Sequence, residues 1–225
     1  MKKAFLLIIL SILTLNGWMQ KTKPQALPED IYKKAILYGD LDIAKVAVYQ
    51  ILVSQPENTS WKDTLCLIYY TQGNYVQSIT VGKEILKTNE NNLLVMEVVA
   101  SSFERISAFK ESLELYEKLA VQKPLPSLLY SILSLQYRLK RFAECFSTGE
   151  KLLSMKEAAQ SNVRLTISDD YYQDVSYQAA TSNVLGMASA EMGKMENAEK
   201  YFKQALQLSP DFLLPKNNLE KLNTK

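Results

Sequence analysis

Apolar side chains recur along most of the chain at the spacing of an amphipathic α-helix. Leu65 and Tyr69 fall on one face of a first predicted helix, and Tyr75, Ile79 and Leu86 fall on one face of the next. Apolar positions three or four residues apart predict a helix that buries one side and leaves the other in water. The pattern therefore predicts a series of short helices, each with a single buried face.

The predicted helices are separated by turns that recur with a nearly constant period. The turn residues are Gly39, Gly73, Ser107, Lys140 and Gly193. Successive turns are 34, 34, 33 and 53 residues apart, so a slip of one residue and an insertion of 19 residues account for every interval. Glycine suits such a turn because it adopts a left-handed backbone without a steric penalty.

The stretch Ala179–Phe212 is the most complete unit of this series. It contains Leu185, Gly186, Gly193, Ala198, Phe202, Ala205 and Pro210. These residues at these spacings resemble the 34-residue tetratricopeptide (TPR) repeat. The resemblance implies an all-α fold, a right-handed superhelical α-solenoid of antiparallel helix pairs. It places repeats at about 25–58, 59–92, 93–126, 127–159 and 179–212, an insertion at 160–178 and a capping helix at 213–225.

Two repeats depart from the pattern inside their second helices. The second and fourth repeats have glycine, Gly82 and Gly149, where a bulky residue is common. A glycine within a helix costs up to about 1 kcal/mol relative to alanine. These helices are therefore either locally weaker or packed unusually close to a neighbour. Lys140 replaces the turn glycine of the fourth repeat, which leaves its register open by one residue.

Residues 1–19 have the features of a signal for export. Lys2 and Lys3 precede the apolar run Ala4–Leu15, and the small residue Gly17 lies near the end of the segment. A cleaved signal peptide and an uncleaved membrane anchor both remain open, although the run is shorter than the ~20 residues that span a bilayer. Both place the rest of the chain, after a linker at 20–24, outside the cytoplasm. We expect a periplasmic or secreted protein, with no membrane span once the signal is removed.

The charge balance and the residue types limit the classes of function. Without Lys2 and Lys3 the chain has 24 basic and 24 acidic residues, and it lacks the basic footprint of a nucleic-acid binder. It has no histidine, and its two cysteines, Cys66 and Cys145, fall in different repeats. Neither a zinc motif nor any catalytic or phosphate-binding motif is present. We expect no enzyme activity, no metal and no cofactor.

Proteins of the TPR family bind peptides or proteins, usually in a concave groove lined by the first helices. The resemblance carries the groove positions to Glu29, Lys33, Asp63, Tyr70, Glu97, Arg105, Tyr130, Tyr137, Arg138 and Asn183. The lysine–asparagine clamp of the chaperone-binding type is absent, because the matching positions hold Glu29, Lys33, Thr64, Leu94 and Val98. The tyrosines have a second interpretation as packing residues inside each helix pair.

The insertion 160–178 departs most from the repeat pattern. Val163, Leu165 and Ile167 alternate with polar residues, which suggests a short extended piece. The run Ser168–Asp170 is typical of a helix N-cap, from which a lengthened first helix of the fifth repeat would begin. Its tyrosines, Tyr171, Tyr172 and Tyr177, either contact a partner or pack that helix onto the fourth repeat. The aspartates lack the spacing of a calcium loop.

The sequence as a whole favours a scaffold of the cell envelope that binds a protein or peptide partner in its groove. The alternative is a structural subunit of a larger envelope assembly, which would use the convex face, the cap or the inserted segment. Binding of a small ligand is a third, weaker hypothesis. The oligomeric state and the identity of the partner stay open.

Overall fold

The computed structural model describes residues 27–56 and 58–223. Within these residues the chain forms twelve α-helices, ten of them in five antiparallel pairs, and one two-stranded sheet. The helices are α1 (Pro28–Leu37), α2 (Leu41–Ser54), α3 (Thr59–Thr71), α4 (Tyr75–Thr88), α5 (Leu93–Arg105), α6 (Phe109–Gln122), α7 (Pro126–Arg138), α8 (Phe142–Ser154), α9 (Lys156–Gln160), α10 (Tyr177–Glu191), α11 (Met195–Leu208) and α12 (Leu213–Asn223). The strands are β1 (Asn162–Ser168) and β2 (Tyr171–Ser176).

The chain divides into two compact units, residues 1–55 and 56–225, and each is described by itself. The described part of the first unit is the pair α1–α2. Proline at the start of α1 lacks the N–H that this position would leave unpaired. Gly39 makes the turn with φ +71°, and the Asp40 carboxylate accepts a hydrogen bond from Ile43 N at 3.0 Å, which caps α2. Ala44, Val48 and other apolar residues of α2 are buried.

The second unit contains the pairs α3–α4, α5–α6, α7–α8 and α10–α11, whose first members (α3, α5, α7 and α10) we call the first helices. Each pair turns on a residue with positive φ: Gly73, Ser107, Lys140 and Gly193. Just after each of these residues, a backbone N–H closes the turn by donating to the first helix, at 2.8–2.9 Å. The turn positions predicted from the sequence are confirmed, including Ser107 and Lys140, which adopt the left-handed region without being glycine.

The register of the fourth repeat follows from the loops. Four residues (89–92) connect α4 to α5, whereas three residues (123–125) connect α6 to α7. The missing residue lies in this second loop, which explains why the turns at Ser107 and Lys140 are only 33 residues apart. Pro126 at the start of α7 accommodates the shorter loop because proline suits the first turn of a helix.

The two helices of a pair cross where small residues meet. In three pairs a side chain of the second helix donates a hydrogen bond to a carbonyl of the first. The bonds run from Ser78 Oγ to Cys66 O (3.1 Å), from Ser112 Oγ to Ala100 O (2.9 Å) and from Cys145 Sγ to Leu133 O (3.8 Å). Both cysteines are buried free thiols, and burial raises the pKa of each. They pack inside separate helix pairs.

The two glycines of the second helices accept side chains from the next repeat. A methyl group on Gly82 would overlap Val99 Cγ2 of α5. A methyl group on Gly149 would lie 2.7 Å from Leu185 Cδ2 of α10, closer than carbon atoms pack. Of the two alternatives left by the sequence, the structure supports close packing against a neighbour. The core of the second unit continues through these contacts from α3 to α10.

The inserted segment folds as an antiparallel β-hairpin that follows the short helix α9. Val163 and Val175 pair across the strands and face inward, and Arg164 and Asp174 pair on the exposed face. The Arg164 guanidinium donates two hydrogen bonds to the Asp174 carboxylate, at 2.9 and 2.7 Å. The inner face packs against Phe212 and buried residues of the fifth repeat.

The predicted N-cap at Ser168–Asp170 is wrong. Ser168 ends β1, and the two aspartates form the hairpin turn. The first helix of the fifth repeat begins only at Tyr177, where the Ser176 hydroxyl accepts a hydrogen bond from Ala179 N at 3.1 Å. Asp and Ser favour turns as well as N-caps, so the local chemistry did not distinguish the two. The predicted extended piece is confirmed and pairs with a second strand.

One side chain connects the hairpin to the start of the last helix. The Gln173 amide donates to Asp211 O at 2.7 Å and accepts from Leu213 N at 2.9 Å. It thereby pairs with the backbone just before α12 as a strand would. A second amide contact, from Asn218 to Asn183 at 3.1 Å, holds α12 against α10. Within the described part of the chain, no helix is both long enough and apolar enough to cross a bilayer.

We predict that Gly82→Ala destabilises the second unit. The added methyl group overlaps Val99 and meets Cys66 Sγ at 3.3 Å. Overpacking of this kind costs about 1–3 kcal/mol, which exceeds the gain in helix propensity of up to about 1 kcal/mol. The change in urea midpoint, followed by circular dichroism, measures the difference. Thr80→Ala, at an exposed site of the same helix, is the control and should shift stability by less than about 0.5 kcal/mol. A more stable Gly82→Ala protein would contradict the close packing.

Candidate binding surface

Three of the sequence-predicted groove residues line a single cleft on the first helices of the second unit. Tyr70 comes from α3, Arg105 from α5 and Arg138 from α7, and Ser101 and Glu104 of α5 complete the walls. The cavity volume is about 470 Å³. We call it the arginine cleft. Its walls are guanidinium, hydroxyl and carboxylate groups, so its chemistry is that of a site for a polar or charged ligand.

Aromatic rings hold both arginines in place. Arg105 is the last residue of α5, and its guanidinium lies over the Tyr75 ring, 6.0 Å from the centroid. Arg138 is the last residue of α7, and its guanidinium lies over the Phe109 ring at 5.2 Å. Stacking of this kind contributes about 0.5–1 kcal/mol at an exposed site. The same arrangement thus occurs in two successive repeats.

The arginines of the cleft differ from the others in the chain. The sequence contains four arginines, all within the described residues. Arg141 forms an ion pair with Glu144, and Arg164 forms one with Asp174. No carboxylate of the described chain lies within ion-pair distance of Arg105 or Arg138, although Glu104 lines the same cleft. Neither guanidinium is thus paired with a carboxylate of the described residues.

Hydroxyl groups form the remaining polar wall of the cleft. Ser101 Oγ and Tyr116 Oη share a hydrogen bond of 2.8 Å. Burial raises the pKa of Tyr116 to about 12, so this phenol stays protonated at neutral pH. Tyr70 packs edge-on against Tyr75, with the ring centroids 5.8 Å apart. Two interpretations of Tyr70 were made from the sequence, as a packing residue and as a groove residue. Its position fits both, because the ring packs on Tyr75 while the residue borders the cleft.

Asp63 and Glu97 lie on the first helices outside the arginine cleft. Asp63 Oδ2 accepts a hydrogen bond from Asn92 Nδ2 at 2.9 Å, and Asn92 in turn caps α5 through Val95 N. The other oxygen, Asp63 Oδ1, is buried and has no hydrogen-bond partner among the described residues. Glu97 is exposed, one helical turn before Ser101. Lys33, which was also predicted to line the groove, lies on α1 in the first unit, where its ammonium group forms an ion pair with the Asp30 carboxylate at 3.7 Å.

Tyr130, Tyr137 and Tyr177 make contacts within the second unit. Tyr130 packs edge-on against Tyr177 with a centroid distance of 5.6 Å, and burial raises its pKa to about 12. The Tyr137 hydroxyl donates to the Glu191 carboxylate. Burial and this hydrogen bond raise the pKa of Tyr137. Asn183, which the resemblance placed in the groove, is buried beneath α12.

Tyr137 also borders a second, more apolar pocket of about 450 Å³. Met187, Met195, Phe202 and Leu222 supply much of its wall. The pocket adjoins the arginine cleft along the chain, because Tyr137 and Arg138 are neighbours at the end of α7.

The three tyrosines of the inserted segment differ in exposure. Tyr171 and Tyr172, on β2, are 48% and 53% exposed, whereas Tyr177 packs against Tyr130. The hairpin therefore presents two aromatic side chains beside its turn. Among the described residues, no group of three Cys, Asp or Glu side chains is placed to hold a metal ion.

Sequence reasoning missed Ser101 and Glu104 as residues of the cleft. Both lie on the face of α5 that also carries Glu97 and Arg105, since Ser101 lies four residues after Glu97, and Glu104 and Arg105 lie three and four residues after Ser101. Extending the groove face of α5 by one helical turn before Arg105 would have included both residues. As binding residues, all members of the cleft stay predictions.

Comparisons with solved structures support the fold. A tetratricopeptide repeat protein from Parabacteroides merdae ATCC 43184 is 18% identical, with a TM-score of 0.68 over 88% of this chain and 74% of that chain. A crystal structure of MamA is 18% identical, with a TM-score of 0.66 over 81% of this chain and 90% of that one. MamA 41-end from Desulfovibrio magneticus RS-1 is 12% identical, with a TM-score of 0.64 over 82% and 94%.

The fold is therefore that of the TPR proteins, and the predicted all-α solenoid is confirmed. No protein-family model matches the chain. No curated protein matches its sequence. At these levels of identity the structural likeness concerns the fold alone.

We predict that the buried tyrosines make the protein less stable in alkali. An unfolded tyrosine ionises near pH 10, whereas Tyr116 and Tyr130 in the folded chain have pKa values of about 12. Between these pH values the unfolded state releases protons that the folded state keeps. The contribution of the two tyrosines to the free energy of unfolding is thus fully present below about pH 10, and it is lost as the pH rises towards 12.

Replacing both residues by phenylalanine should reduce this alkaline loss. Between about pH 8 and pH 11 the double variant should lose roughly 1–3 kcal/mol less stability than the wild type. Urea midpoints measured at each pH test the expectation. Identical pH dependence of stability in the two proteins would show that burial does not raise the pKa of these two tyrosines.

Proposed function

We propose that this chain is a non-enzymatic protein–protein interaction scaffold of the cell envelope, which binds a segment of a partner protein on the first helices of its second unit. The observation that carries the proposal is the arginine cleft, in which two ring-stacked arginines without an acidic partner among the described residues face one cavity. Arginine and tyrosine are the residues that contribute most often to binding hot spots. The TPR fold supports the proposal, because stacked helical repeats form extended binding surfaces.

A second candidate is a subunit of a larger envelope assembly that makes its contacts through the inserted hairpin. The exposure of Tyr171 and Tyr172 favours this candidate. Tyrosine provides a large and rigid contact area at low entropic cost. The hairpin is also firmly attached, since Gln173 bonds to the backbone before α12 and the inner face packs against the fifth repeat.

Affinity capture from a bacterial envelope extract distinguishes the two candidates. The baits are the wild type, the double variant Arg105→Gln/Arg138→Gln, the double variant Tyr171→Ser/Tyr172→Ser and the control Arg141→Gln. If the cleft binds the partner, the first double variant should recover it at least about fivefold less well, while the control recovers it as the wild type does. Loss confined to the tyrosine variant would support the hairpin instead. Equal recovery by all four baits would refute both versions.

The envelope location is a separate part of the proposal. It is supported by the basic start and apolar run of residues 1–19, which lie outside the described residues. Fractionation of bacteria that express the full chain and a chain lacking residues 1–19 tests it. We expect the full chain in the envelope or medium and the shortened chain in the cytoplasm. The mass of the mature protein distinguishes cleavage from an anchor, and cytoplasmic recovery of both chains would refute export.

A further inference from the structure

We infer that the arginine cleft recognises an acidic segment of polypeptide, with Arg105 and Arg138 each binding one carboxylate. The inference rests on the proposed function and specifies the chemistry of the partner at the same site. It begins from the contrast among the four arginines: two of them have acidic partners among the described residues, and the other two have none there. The two without partners are the two that line the cleft.

The requirements of the helices do not explain these two arginines. A cation in the last turn of a helix gains about 0.3–1 kcal/mol from the helix dipole, and both residues end their helices. This accounts for a positive charge at each place. It does not account for two guanidiniums that border one cavity, nor for the absence of any acceptor for their N–H groups among the described residues. A planar guanidinium matches a carboxylate with two parallel hydrogen bonds.

The rest of the wall favours a polypeptide over other anions. Glu104 lines the cleft, and Glu97 lies one helical turn before Ser101, which also lines it. A nucleic-acid backbone or a free phosphate would place its own negative charge against Glu104. An acidic peptide satisfies both signs, since its carboxylates meet the arginines and its backbone N–H groups can donate to Glu104. The Tyr70 and Ser101 hydroxyls suit its carbonyl oxygens.

Both acidic residues of the segment must face one cavity of about 470 Å³, because Arg105 and Arg138 border it from the ends of successive first helices. An extended segment of the polyproline II type rises about 3.1 Å per residue and returns to the same face every three residues. Acidic side chains three residues apart therefore lie about 9 Å apart on one face. We expect this spacing to bind better than adjacent acids.

Fluorescence polarisation with synthetic probes tests the inference directly. The probe is a fluorescein-labelled peptide of about twelve residues, roughly 37 Å long when extended, with two glutamates three residues apart in a Gln–Pro–Ser background. Its control has glutamine at both positions. Arg105→Gln and Arg138→Gln should each weaken binding of the acidic probe about five- to tenfold, and added salt should weaken it further.

Arg141→Gln is the matched control variant. It removes the same charge three residues from Arg138, but from an arginine that already pairs with Glu144. Its affinity should stay within about twofold of the wild type, because the pair is exposed and contributes little to the surrounding field. All three substituted arginines are exposed, so we expect each glutamine variant to fold, and circular dichroism checks this.

Several results would overturn the inference. These are the absence of saturable binding, equal binding of the glutamine peptide, equal loss in Arg141→Gln, or displacement of the probe by inorganic phosphate or oligothymidylate at the probe's own concentration. Failure of the probe remains distinguishable from failure of the proposed function. If capture of a partner still depends on Arg105 and Arg138, polypeptide binding stands and the recognition of paired carboxylates falls.

Discussion

The close approach of the two helices in each pair is the constraint on which the rest of the structure depends. At the crossing, the second helix contributes Ala44, Ser78, Ser112, Cys145 or Ala198, all fully buried. Ser78 and Ser112 donate good hydrogen bonds across the crossing, whereas the contact from the Cys145 sulfur, at 3.8 Å, is weak. The shared requirement is therefore small size, and a serine hydroxyl adds about 0.5–1.5 kcal/mol where it is present. A wider crossing would move every first helix, and the cleft spans three of them.

The regular part of the fold could be predicted because its causes are local. A left-handed turn, a small residue at the crossing and an apolar stripe recur within about 34 residues, so even Ser107 and Lys140 could be placed by counting. The hairpin could not be predicted as fully. The alternation of Val163, Leu165 and Ile167 indicated one strand, but the Gln173 side chain of β2 bonds to Asp211 and Leu213, 38 to 40 residues away. No local pattern records them.

The candidate site could be predicted in part for a related reason. Repeat register places Tyr70, Arg105 and Arg138 on the same face of successive first helices, and the structure brings them together. Register does not reveal which inner side chains are already used. Tyr137 of α7 stands at the place of Tyr70 two helix pairs later, yet it donates to Glu191, 54 residues away. Asp63 is likewise bonded to Asn92. The cleft therefore differs from the corresponding places in the other repeats by which of its side chains already have partners, and not by their position in the repeat.

The contact of Gln173 with the backbone before α12 has a consequence for the way the chain comes apart. In a simple solenoid each repeat touches only its neighbours, so the terminal helix frays first and alone. Here the hairpin lies before the fifth pair in sequence and the last helix lies after it, and one amide bonds to the residues on both sides of Phe212. Release of α12 therefore breaks the hairpin's contacts as well. We therefore expect the hairpin, the fifth pair and α12 to unfold together as one cooperative unit. The last helix is then no longer the least stable element of the solenoid.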